Sequence, residues 1–163
     1  MHIIKNLMRL GVYLCVMLLI CSCRTEMPKD FAIYAEYGLA RTKKVNSYND
    51  TFTFRTGGIS DSIVVKFRFS NEELEQLWRL INRNNISEYD SYYIPKDEFQ
   101  VSPDESYFLR FRANGIEHQI TWDTSTSARD RKSKRLRLVF KKIKKIVAKD
   151  SSIAKLKYDF EPL

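Results

Sequence analysis

Residues 106–122 read SYFLRFRANGIEHQITW. Asn114-Gly115 stands between two runs in which apolar and polar residues alternate. Asn-Gly supplies the positive backbone angles that a two-residue hairpin needs. Pairing outward from that turn sets Ala113 opposite Ile116, Arg112 opposite Glu117, Phe111 opposite His118, Leu109 opposite Ile120 and Tyr107 opposite Trp122. One face of the hairpin is then Tyr, Leu, Phe, His, Ile and Trp, and the other carries Arg112–Glu117 and Arg110–Gln119. Turn chemistry, register and charge pairing agree, which is the mark of a half-buried antiparallel pair.

The pattern extends outward on both sides. FAIYAEYGL (31–39) places Phe31, Ile33, Ala35, Tyr37 and Leu39 on one side by strict alternation. The polar run ARTKKVNSYND (40–50) reads as a loop or frayed hairpin. TFTFRT (51–56) and SIVVKFRF (62–69) alternate again, with Gly57-Gly58 as the turn between them. Ser70 followed by Glu73 makes a capping box, and Leu74, Leu77, Trp78 and Ile81 follow at helical spacing. Asn84-Asn85 is a stop, because Asn tolerates the left-handed conformation. Residues 86–105, with Pro95 and Pro103, read as a long loop, and residues 123–133 as a linker.

A second helix spans 133–149, with Leu136, Val139, Phe140, Ile143, Ile146 and Val147 on one stripe. The tail YDFEPL (158–163) reads as an irregular segment. The order is β-β-β-α-β-β-α. Alternating strands with singly striped helices predict an α+β domain, an antiparallel sheet of about five strands with two helices on one face.

The chain carries Cys15, Cys21 and Cys23 and no other cysteine. Lys5 and Arg9 precede an apolar run from Leu10 to Ile20, broken only by Tyr13. This is the length of a secretory signal, roughly 7–15 apolar residues, and shorter than the roughly 20 of a membrane span. Ile20-Cys21-Ser22-Cys23 then resembles a bacterial lipobox, with an aliphatic residue, a tolerant position and a small residue before the acceptor cysteine. The resemblance implies that Cys23 receives a diacylglyceryl group, that a peptidase cuts before it and that the new amine is acylated. Cys21 fits less well as acceptor, because Ile20 would hold the small-residue position.

A signal anchor that keeps all three thiols is the competing reading. On the first reading, residues 1–22 are signal, 23–30 a tether and 31–163 one domain without a thiol. Together with the layout around FSNEELEQLW (69–78) and the Asn-Gly hairpin, the chain resembles small outer-membrane lipoproteins of the Bacteroidota. The resemblance implies location in the cell envelope, and no particular activity follows from it. Which face of the membrane is exposed stays open. Asp61-Ser62-Ile63 also matches the short O-glycosylation sequon of extracytoplasmic proteins of that group, with Ser62 as acceptor.

The apolar share of 44% is ample for one core and excludes global disorder. The net charge of +8 is concentrated, because residues 129–149 hold eleven Lys and Arg and one acid, Asp130. Lys134, Arg137, Lys141, Lys144 and Lys145 lie opposite the apolar stripe, with Leu138 as an apolar intruder. They read as a solvated helix face whose apolar stripe packs on the sheet, or as a contact to anionic lipid. A secreted lipoprotein has no nucleic acid to meet.

Chemistry-bearing motifs are sparse. His118 is the only histidine after the signal and reads as a half-buried sheet residue. A lone imidazole makes no typical zinc site. No phosphate-loop spacing, nucleotide fingerprint or nucleophile elbow is present, so no metal or cofactor is implied. Glu72, Glu73, Glu75, Asp97, Glu98, Asp104 and Glu105 are the carboxylates that an enzyme would have to converge in space. The favoured expectation is a non-catalytic binding or structural module with a protein or glycan partner. Its surface is the open sheet face or the 86–105 loop, with Tyr89, Tyr92, Tyr93 and Phe99. An inhibitor of a secreted hydrolase, presenting that loop, is the second reading.

Overall fold

The computed structural model describes residues 26–38, 40–55, 61–95, 105–124 and 130–160. Leu39 and residues 1–25, including Ile20, Cys21, Ser22 and Cys23, lie outside them, as do Asp97, Glu98, Phe99 and Asp104. The fold is α+β. Its strands are β1 (Ala32–Tyr37), β2 (Lys43–Asn46), β3 (Thr51–Arg55), β4 (Ser62–Lys66), β5 (Tyr92–Tyr93), β6 (Glu105–Ala113) and β7 (Ile116–Thr124). Its helices are α1 (Asn71–Arg83), α2 (Arg131–Val147) and α3 (Ser151–Phe160).

The β6–β7 hairpin has the expected register throughout, including Ala113 with Ile116, Phe111 with His118 and Tyr107 with Trp122. Asn114 and Gly115 have φ of 54° and 76°, so both turn residues take the positive angles that the dipeptide supplies. β6 also pairs with β1, and the sheet runs β4-β3-β2-β1-β6-β7-β5. Among the described residues seven strands therefore stand where about five were expected, and the sheet is mixed. β5 runs parallel to β7, within the segment expected to be a loop. β2 lies in the polar run 40–50, where only Val45 is buried. Its backbone is fixed by pairing with β1 and β3 rather than by an apolar pattern.

One face of the sheet is covered. Ile33, Ala35, Val45, Phe52, Leu109, Phe111, Ile120 and Trp122 are buried there beneath Leu77 and Ile81 of α1 and Leu136, Val139, Phe140 and Ile143 of α2. α1 begins at the Ser70–Glu73 capping box, in which both reciprocal bonds are present. It stops at Asn84, and Asn85 takes φ 52°. α2 starts two residues earlier than expected because Asp130 caps it, accepting from the Ser133 N–H at 2.9 Å. α3 is a third helix that the irregular-tail reading did not contain. Asp150 precedes it and accepts from the N–H of Ser152 at 2.9 Å, and Ile153 is buried against the core.

The segment expected to be a tether is partly held on the domain. Trp78 Nε1–H donates to the Glu26 carbonyl at 3.0 Å, and Phe31 packs on the Trp78 ring. Pro28 is buried, and its carbonyl accepts from the Phe31 N–H. Asp30 accepts from the N–H groups of Asn114 (2.9 Å) and Gly115 (2.7 Å), clamping the chain entry to the hairpin tip.

Candidate functional site

The face of the sheet turned away from the helices carries the opposite parity of every strand. Tyr34 and Glu36 come from β1, Lys44 from β2, Ser106, Phe108, Arg110 and Arg112 from β6, and Glu117, Gln119, Thr121 and Asp123 from β7. Tyr92 of β5 joins them opposite Thr121. Two loops fold over this face. Tyr48 comes from the β2–β3 turn and Arg41 from the β1–β2 connection.

The aromatic and guanidinium groups form a continuous ladder. The Arg41 guanidinium lies 6.0 Å from the Phe108 ring centroid, and Phe108 meets Tyr34 edge-on at 5.9 Å. Arg110 lies between Tyr34 (5.1 Å) and Tyr48 (5.5 Å), and Arg112 lies over Tyr48 at 5.4 Å. Planar guanidinium over an aromatic face is a favourable contact, and each restrains the other's rotamers.

A polar cluster adjoins the ladder. Arg41 Nε donates to Ser106 Oγ at 2.7 Å, and Ser106 donates to Asp123. Tyr92 donates to the other Asp123 oxygen at 3.0 Å. Glu36 accepts from Tyr34 and pairs with Lys44 at 3.1 Å. Burial, with the hydrogen bond to Glu36, pushes the Tyr34 phenol up. The bond to Asp123 does the same to Tyr92. Both therefore donate as neutral phenols at ordinary pH. Arg110 Nε and Tyr48 Oη are buried without a hydrogen-bond partner among the described residues. Arg110 comes no closer than 4.0 Å to Glu117. Buried polar atoms normally have a partner, and one left without costs about 1–3 kcal/mol.

No protein-family model matches the chain, and the comparison with curated proteins finds no match.

Of the four aromatics expected at the surface, Phe99 lies outside the described residues and the other three are divided. β5 sends Tyr92 to the open face, 56% exposed, and Tyr93 to the helix side opposite Trp122. Tyr93 donates to Asp130 at 2.6 Å, and burial together with that bond pushes its phenol up to about 12. Tyr89 packs partly against the core. Ser62 is exposed at the start of β4, an edge strand.

On α2, Lys134, Lys141, Lys144 and Lys145 are exposed, and Leu138 is 50% exposed. Arg137 lies over Trp122, and Lys144 lies over Tyr37 and Tyr107. His118 stacks on Phe111 at 5.0 Å, as a half-buried sheet residue does. Glu73 is spent in the capping box, Glu72 accepts from Gln76, and Glu75 pairs with Arg79. Among the described residues no three His, Cys, Asp or Glu side chains converge as a metal would need. No described helix is long and apolar enough to cross a membrane.

Proposed function

We propose that this chain is a lipid-anchored protein of the cell envelope, tethered through Cys23, and that its open sheet face is a non-catalytic docking surface for a protein partner. The observation that carries the docking surface is the Arg41–Phe108–Tyr34–Arg110–Tyr48–Arg112 ladder, in which the Arg110 and Arg112 side chains stay 38% and 47% exposed. Tyr and Arg are the residues over-represented at protein interfaces and at their energetic centres. A glycan is less suited, because sugars stack on bare ring faces and the rings of Tyr34, Tyr48 and Phe108 already hold guanidinium groups. A partner offering a carboxylate or carbonyl would meet the exposed side chains of Arg110 and Arg112. A rigid surface of this kind loses little side-chain entropy on binding.

Site-specific photo-cross-linking in intact cells tests the surface. Cross-linkers at Gln119 and Thr121 on the open face are compared with one at Lys141 on α2. A discrete adduct from the open-face positions, lost when Arg110→Ala and Arg112→Ala are combined in a folded protein, is the expected result. Adducts from Lys141 alone, or open-face adducts unaffected by the double substitution, would refute the assignment.

A further inference from the structure

The chain enters the domain at one end of the sheet, and that end is well defined. Glu26 is held at Trp78, Pro28–Phe31 makes a turn, and Asp30 is bonded to the tip of the β6–β7 hairpin. Only Arg24 and Thr25 separate Glu26 from Cys23. Three residue steps reach at most about 10 Å. A lipid on Cys23 thus brings the hairpin-tip end, and not merely the domain, within one short span of the bilayer.

The surface at that end suits such contact. Ile116, the first residue after the turn, is 59% exposed, one of five large hydrophobic side chains left in solvent among the described residues. Beside the turn, Arg112 pairs with Asp30 at 4.0 Å and stands opposite Glu117 across the hairpin, so acids and base offset one another there. The opposite end is different in kind. Lys144 lies over Tyr37, the last residue of β1, and over Tyr107, near the start of β6. Tyr107 stands six residues from Ala113 along β6, about 20 Å at the rise of an extended strand. Lys134, Arg137, Lys141 and Lys144 recur every three or four residues and share that side of α2.

We infer that the hairpin-tip end of the domain rests on the membrane surface with Ile116 at the headgroup layer, and that the basic stripe of α2 points away from the anchoring bilayer. The inference rests on the lipid anchor proposed above. It runs against what charge alone would dictate, because a stripe of Lys and Arg is drawn to an anionic bilayer. A tether of two residues overrides that attraction by geometry. The stripe is then left free for anionic groups on the aqueous side.

The test uses lipidated protein purified from the membrane fraction, whose mature chain contains no cysteine other than an acylated Cys23. Single cysteines replace Lys29, Ile116 and Lys141, each carrying an environment-sensitive fluorophore. The proteins are reconstituted into phosphatidylglycerol-containing vesicles with nitroxide headgroup lipids. The labels at 29 and 116 lose most of their fluorescence to the nitroxides, and the label at 141 keeps its own. Quenching at 141 equal to that at 116, or a bright label at 116, would overturn the orientation. Intact mass of the same samples keeps the two ideas apart. A chain carrying lipid on Cys23 with the reversed quenching pattern sinks the orientation alone, whereas a chain without lipid sinks the anchor and the orientation with it.

Discussion

Asp30 joins two segments that lie more than eighty residues apart. Its carboxylate satisfies the two N–H groups of the Asn114-Gly115 turn, which face solvent at the hairpin tip and have no ladder partner. The Gly115 N–H is the main reason that the Asp30 carboxyl is held below its ordinary 3.8. Slight desolvation works against it, and the Asn114 N–H and the Arg112 charge add to the lowering. A depressed carboxyl contributes stability that is present above the unfolded value and is lost as pH falls through the folded one. The clamp should therefore survive mild acid. An NMR titration of the Gly115 amide should show a midpoint below 3.8, and Asp30→Asn should abolish the transition. A midpoint at or above 3.8 would show that the clamp does not form in solution. The turn itself was legible, because Asn-Gly states its own geometry. Asp30 was not, because nothing near it in sequence names the hairpin tip as its partner.

At the scale of elements, α2 separates core from surface within two residues. Leu136 is fully buried, and Leu138 is half exposed among lysines. Leu136→Ala should cost about 2–5 kcal/mol, and Leu138→Ala no more than about 0.5 kcal/mol. Urea unfolding of the two variants reads the difference directly. Equal losses would mean that the apolar stripe of α2 does not seat on the sheet. This stripe was legible because six apolar residues repeat at helical spacing, and α1 was legible from its capping box. β2 was hidden because one buried residue, Val45, cannot make a period. β5 was hidden because two residues are too few, and because its parallel pairing to β7 is decided by the path of the chain after α1. α3 was hidden because, among its described side chains, Ile153 alone is buried, too little for a stripe.

At the scale of the molecule, the two faces of one sheet have separate fates. The apolar parity is sealed by helices, and the polar parity is organised by arginine and tyrosine, with no described helix over it. Half of the polar arrangement could be read from the hairpin register, which also sets Ser106 opposite Asp123 and puts Phe108, Arg110 and Arg112 on one side. The other half could not, because Arg41 and Tyr48 arrive on loops whose positions follow from the closed sheet. On the proposed lipid anchor this face belongs to a domain held close to a membrane, and that proposal depends on Cys23. The most direct test is the intact mass of the protein in the membrane fraction, wild type beside Cys23→Ala. The expected result is a mass of residues 23–163 plus lipid, absent from the variant, which should be released from the membrane or retained as uncleaved precursor. An unprocessed wild-type mass with three free thiols would contradict it, and would return Cys21 and Cys23 as candidates for redox or metal chemistry.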